Sequence, residues 1–252
     1  MLRSIFAGAS ALVLISLAGA AQAQPMTTFG GFVWGQYGMG EDDNDNEADV
    51  WSGGGSLAVG VYPMISLQGD VGFATTDVGD DDSLDVWSFA GSAFWRGPMF
   101  AVGANIGNSS IEIDPLDFDV MNYGAFGEFY PTQIITVYAL GGWLDGDFGF
   151  DGNYLGGGAI VYPIPNLALT GNINYVDNDA DDATSFGVSA EYMFSDTMPL
   201  SVYGGYNFAD EGGIDVLTIG IRFLFGGPIG PLVARDRTGA IRHTGPAQII
   251  RF

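Results

Sequence analysis

The chain has 252 residues, no cysteine, and 30 acidic residues against seven basic ones, all arginine, for a net charge of −23. No disulfide framework can hold it together, and it lacks the cations that nucleic-acid binding needs to neutralise phosphate. Positive mean hydropathy with 47 % hydrophobic residues requires acidic and apolar stretches to be segregated along the chain.

The N-terminus carries Arg3, an apolar run over Ile5 to Ala20, and then Ala21-Gln22-Ala23. That order is the signature of a cleavable secretory signal peptide, so residues 1–23 are expected to be removed and the mature chain to start at Gln24. After Gln24 no stretch is long and apolar enough for a membrane-spanning helix. Residues 24–226 carry 29 acids against Arg96 and Arg222, a net −27, whereas 227–252 carry four arginines against Asp236, a net +3.

Six acidic runs punctuate the body: Glu41 to Glu47, Asp77 to Asp85, Glu112 to Asp119, Asp145 to Asp151, Asp177 to Asp182 and Asp210 to Asp215. Proline-marked turns at 63, 98, 131, 163 and 199 fall between them, 35, 33, 32 and 36 residues apart. The unit is a strand, an acidic connection, a returning strand and a tight turn. Twelve strands are expected at about 26–38, 49–62, 64–74, 84–96, 99–107, 118–130, 133–144, 153–162, 166–176, 184–195, 199–209 and 214–226.

Period-2 alternation supports them. Ile65, Leu67, Val71 and Phe73 oppose Ser66, Gln68, Asp70 and Gly72; Leu167, Leu169, Ile173 and Tyr175 oppose Ala168, Thr170, Asn172 and Asn174. Further on, Phe186, Val188, Ala190, Tyr192 and Phe194 oppose Ser185, Gly187, Ser189 and Glu191. In the final strand Leu217, Ile219, Ile221, Phe223 and Phe225 oppose Thr218, Gly220 and Arg222.

A soluble sandwich would turn the apolar face inward, a membrane barrel outward. The polar faces hold Gly, Ser, Asn, Thr and Ala rather than the charges that solubilise an exposed sheet. Trp51, Trp87 and Trp143 lie beside acidic runs, and Tyr62, Trp95, Phe129, Tyr162, Phe194 and Phe225 beside short turns, as two interfacial girdles require. An even strand number also closes the sheet without an edge. The expected fold is all-β: a closed antiparallel up-and-down transmembrane barrel of about 12 strands, with long acidic extracellular loops and short periplasmic turns.

The signal peptide, the acidic surface loops and the terminal aromatic strand Gly220-Ile221-Arg222-Phe223-Leu224-Phe225 resemble the porin-like Gram-negative outer-membrane β-barrel family. The resemblance covers residues 1–226 as architecture and implies location in the bacterial outer membrane. It departs at the C-terminus, because in that family the terminal aromatic normally ends the chain, whereas here the chain continues to Phe252.

The inward residues are then the functional surface. Alternation selects Gln36, Ser52, Ser56, Gln68, Ser88, Ser92, Asn105, Asn122, Thr136, Asn172, Asn174, Ser189, Tyr203 and Asn207, with the charges Asp70, Arg96, Glu128, Glu191 and Arg222. Arg96, Glu128, Glu191 and Arg222 lie near short turns and are expected to form a mixed ring at the periplasmic mouth. Such a ring either sets pore selectivity or neutralises itself by pairing. The expected function is passive diffusion of small hydrophilic solutes, cations favoured; the alternative is a structural or surface-interaction barrel with a closed lumen.

Asp43, Asp45 and Glu47, and Asp177, Asp179 and Asp181, alternate like the start of a calcium loop. They lack the glycine and glutamate of an EF-hand, so solvated acidic surface with loose divalent-cation shielding is expected. No cofactor is called for. The lone histidine, His243, is expected outside the barrel, leaving no histidine-based hydrolytic arrangement in the wall. The tail 227–252 is expected to be a flexible periplasmic segment, because Gly226-Gly227-Pro228 and Gly230-Pro231 cannot continue a strand. A plug in the acidic lumen, or contact with another periplasmic component, are the other two readings of its basic charge.

Overall fold

One unbroken ladder of backbone hydrogen bonds runs around this protein. The computed structural model describes residues 29–244 except 43–46, 79–81, 114–115, 148–150, 179–181, 210–213 and 228, so the signal peptide and residues 245–252 lie outside the described residues. The alternating segments form twelve strands: β1 (Phe29–Asp42), β2 (Glu47–Tyr62), β3 (Ile65–Val78), β4 (Asp82–Arg96), β5 (Phe100–Ile113), β6 (Leu116–Thr132), β7 (Ile135–Gly146), β8 (Gly152–Ile164), β9 (Leu167–Asn178), β10 (Asp182–Met193), β11 (Leu200–Ala209) and β12 (Ile214–Gly226). A five-residue helix, α1 (Leu232–Asp236), follows. Each strand pairs antiparallel with its sequence neighbours, and β1 closes on β12 from Gly30↔Gly226 to Asp42↔Ile214. The strand number and order match the sequence expectation.

The strand ends do not. At the acidic end the ladders continue into the described flanks of the acidic runs, so strand takes up part of what the sequence assigns to loop. Beyond an apolar belt the backbone can keep its ladder in water, and the carboxylates find donors across strands. Tyr37 donates to Asp49 at 2.6 Å, Tyr123 to Asp145 at 3.0 Å and Tyr206 to Asp215 at 2.9 Å. Thr75 donates to Asp85 at 2.7 Å and Ser110 to Asp119 at 2.8 Å. At the other end the connections are tight. In Pro63–Met64, Met64 takes φ 71°, the left-handed position that follows proline in a type II turn.

The apolar face points out. Val71, Phe89, Ile106, Val188, Ile219 and Ile221 are each more than half exposed. Trp51, Trp87 and Trp143 flank this belt toward the acidic end, and Phe29, Tyr62, Phe100, Phe129 and Phe194 toward the short turns. Tyr162 corrects the expected girdle: it is buried on the inner face. Its parity in β8 is that of Tyr154 and Ile160, which also point inward, while Val161 takes the outer position.

Candidate functional site

The bore holds every inward residue that alternation selects. Gln68, Asp70, Arg96, Glu128, Asn172, Asn174, Glu191 and Arg222 are all buried inside the ring. Asp70 accepts from Ser56 at 2.5 Å and from Gln68 at 2.9 Å. Glu191 is held by Arg222 Nη2, 2.6 Å from Oε1 and 2.7 Å from Oε2, and by the hydroxyl of Ser201. Glu128 accepts from Tyr130 at 2.6 Å. The expected four-charge ring therefore forms only in part. Glu191 and Arg222 pair, but Arg96 and Glu128 make no ion pair among the described residues, and Arg96 instead donates to the Gly239 carbonyl at 2.8 Å.

That carbonyl belongs to the tail, which corrects the expectation of a flexible segment for residues 229–244. Gly226 and Gly227 both take φ 65°, a conformation that other residues adopt at a cost, and they fold the chain back from β12 into the ring. Gly227 N–H donates to the Phe29 carbonyl at 2.8 Å, and the Leu232 amide to Asn166 Oδ1 at 3.1 Å. Leu232, Ala240 and Ile241 are buried in one cluster with Phe32, Trp34, Phe94, Tyr138, Ile160, Tyr162 and Leu224. Burying Leu232 and Ile241 contributes about 1.5–3 kcal/mol each.

The basic residues seek acceptors all round the wall. Arg237 donates to the carbonyls of Thr132 (2.9 Å) and Ile135 (2.7 Å) and lies 4.3 Å over the Tyr130 ring. Arg242 donates to Glu191 at 3.0 Å and pairs with Asp236, which lies 3.5 Å from Arg222. Gln68 clamps the Ile241 peptide, donating to its carbonyl at 2.7 Å and accepting from its N–H at 2.8 Å. The Thr244 hydroxyl donates to Asp70 at 3.4 Å.

Burial pushes the Asp236 carboxyl well above its usual range; Arg222 pulls it down and Glu191 pushes it further up. Packing is close: the cavity between tail, β1 and β12 measures about 10 Å³, room for one water. His243, expected outside, is buried in the bore and stacks on Tyr138 with centroids 3.6 Å apart.

No protein-family model matches the sequence, and no curated protein matches it. Solved structures match its shape. The KdgM porin superposes with a TM-score of 0.56 at 11 % identity, covering 77 % of this chain and 99 % of the porin. An outer membrane channel from Pseudomonas putida gives 0.62 at 12 % identity over 85 % of this chain and 98 % of the channel. The translocator domain of the autotransporter NalP from Neisseria meningitidis gives 0.54 at 13 %, over 78 % and 88 %. The fold is that of a porin-like outer-membrane β-barrel.

Two features of this porin-like barrel escaped the sequence reading. Its short-turn half is lined by large side chains: Phe32, Trp34, Phe94, Phe126, Tyr130, Tyr138 and Tyr162. The signal was present in pairs such as Phe94-Trp95 and Phe129-Tyr130, because adjacent strand residues point to opposite faces and only one can face out. Near the acidic end, Val50, Leu84, Val86 and Val216 form an apolar cluster on the inner wall. Between these zones the wall is small and polar, with Asn105 bonded to Asn122 at 3.0 Å and buried hydroxyls at Ser52, Ser92, Thr170 and Ser189.

Proposed function

We propose that the protein is an outer-membrane channel of the porin kind, passing small hydrophilic solutes with cations favoured over anions. The observation that carries this reading is the middle of the bore, a wall of Gly, Ser, Thr and Asn inside an apolar outer belt. The hydroxyls of Ser52, Ser92, Thr170 and Ser189 are enclosed there, with no hydrogen-bond partner among the described residues. Buried polar groups of this kind are satisfied by water, which suits a wet passage. The acidic hairpins would face the exterior, and the short turns and mature termini the periplasm, with outer-membrane lipid against the belt.

Cation preference follows from charge. The inner wall carries Asp70, Glu128 and Glu191 against Arg96 and Arg222, a net −1, and the outer rim carries most of the remaining acids. Such a mouth concentrates counter-ions, including loosely held divalent cations. The KdgM porin has been captured in complex with disordered oligogalacturonate. An acidic sugar of that kind is a poor fit for a wall of net negative charge. The competing reading, a closed structural barrel, is favoured by the tail contacts inside the ring.

Planar-bilayer recording in a salt gradient tests the proposal, using both the full chain and one ending at Gly227. Steady current with a cation-directed reversal potential is expected from the shorter chain. Silence from both, or anion preference, would overturn the channel reading.

A further inference from the structure

We propose that residues 229–244 are an autoinhibitory plug, docked at the short-turn end of the bore and able to leave it without unfolding the barrel; this rests on the channel reading above.

The tail spans the bore rather than lying along one wall. Ile241 is clamped by Gln68 on β3, while the next residue, Arg242, reaches Glu191 on β10, on the far side of the twelve-strand ring. Gly239 meets Arg96 on β4, and Arg237 meets the start of β7. A segment anchored on opposite walls leaves no straight path between them.

The three wall carboxylates do not need the tail to stay paired, and Arg96, which gives up the Gly239 carbonyl, takes water instead. Without the tail, Glu191 keeps Arg222 at 2.6 Å, Asp70 keeps Ser56 at 2.5 Å and Gln68 at 2.9 Å, and Glu128 keeps Tyr130 at 2.6 Å. None of the three wall carboxylates is orphaned by departure, so leaving avoids the large penalty of an unpaired buried charge. Among the described residues the tail also joins no strand ladder, since the closed order contains β1 to β12 alone. Its connection to β12 runs through Gly226 and Gly227, whose freedom at positive φ makes a natural hinge. Arg235, Arg237 and Arg242 against Asp236 give the docked segment a net +2, so it turns a mouth of net −1 into one of net +1, unfavourable to the cations the open bore attracts.

The test compares currents from four forms in planar bilayers, each shown to be folded by its shift on unheated gels. These are the full chain, the chain ending at Gly227, full-length Arg242→Glu, and full-length Gln68→Cys/Ile241→Cys. The last is joined by a reducible bifunctional thiol reagent, which has only those two targets because the natural chain has no cysteine. The shorter chain is expected to stay open and the full chain to be mostly closed. Arg242→Glu faces Glu191 and Asp236 with a like charge, and should raise open probability about tenfold or more, the equivalent of one lost charge-assisted hydrogen bond. The cross-linked form should be silent until reduced.

Equal currents from the full and shortened chains, with no effect of cross-linking, overturn the plug and leave the channel reading standing. Silence from a folded shortened chain overturns both. If shortening prevents folding, Arg242→Glu decides: an unchanged open probability refutes the plug.

Discussion

Glu191→Ala should destabilise the folded barrel by about 3 kcal/mol, near the lower end of the cost of breaking a buried ion pair. The Glu191 side chain has no solvent exposure and receives Arg222 at 2.6 Å and Arg242 at 3.0 Å. Alanine leaves two enclosed guanidinium groups to share one carboxylate, Asp236, which lies 3.5 Å from Arg222, a net excess of one positive charge. In the chain ending at Gly227 both Arg242 and Asp236 are gone and the opened bore admits water to Arg222, so the same substitution should cost less, about 1 kcal/mol. Replacing both wall partners there, Glu191→Leu with Arg222→Met, removes the charge and its need together, and should be roughly neutral. Urea titration in lipid vesicles, followed by tryptophan fluorescence, gives the free energies from midpoint and slope. A Glu191→Ala change within about 0.5 kcal/mol of its parent in the full chain, the range of an ordinary surface change, refutes the buried pair. So does a double replacement that costs as much as the single one.

Ile219, 64 % exposed at mid-strand, faces lipid if the belt is embedded, so Ile219→Arg should cost about 2–4 kcal/mol in vesicles; a cost near zero would mean that this face meets water. Lipids brominated along the acyl chain should quench single-tryptophan forms retaining Trp51, Trp87 or Trp143 and spare the one retaining Trp34, which is buried inside; the reverse order would invert the barrel's faces. Gly226→Ala must hold φ 65° and press a Cβ to 2.5 Å from the Phe29 carbonyl oxygen and 2.9 Å from its ring, whereas Gly69 has nothing within 4 Å. Gly226→Ala should therefore cost about 1–2 kcal/mol and Gly69→Ala nearly nothing by the same titration. Docking raises Asp236 above its value in a released, solvated tail, in a site faced by Arg222, Glu191, Glu128, Arg235 and Arg242. Seating therefore takes up a proton and strengthens as pH falls through that raised range, so acidification should lower the current of the full chain; an increase contradicts the sign.

Strand number, order and facing were legible because two signals recur along the chain: alternation within the strands, and punctuation between them by six acidic runs and five prolines. Ser189 and Glu191 sit inside, and Val188 and Tyr192 outside, by parity alone. Strand ends were not legible, because a carboxylate in a ladder and one in a loop look the same until its donor is known, as Tyr37 is for Asp49. Tyr162 was misplaced by proximity to a turn although its parity pointed inward. The tail was the larger miss. Gly226-Gly227 ends a strand in either reading, and only the φ of both residues turns the chain back into the ring instead of away from it. His243 went with it, its position following from contacts between distant segments that no local pattern encodes.

The inward aromatics and the plug are two parts of one packing problem. An eight-strand ring is filled by its own side chains and a sixteen-strand ring is open, so twelve strands enclose more cross-section than ordinary inward residues occupy. At the short-turn end this chain meets the excess with Phe32, Trp34, Tyr138 and Tyr162, and then with a strip of its own tail set among them. Elsewhere on the inner wall glycine stands at 156, 158, 187 and 220, where a Cβ would collide with the inward side chains of Asn174, Tyr138, Asn172 and Tyr203. Large inward residues also stand toward the acidic end, at Phe118 and Tyr154; what sets the short-turn end apart is that part of its filling comes from a segment hinged at Gly226-Gly227 and carrying its own charge, as expected of a passage with a removable stopper.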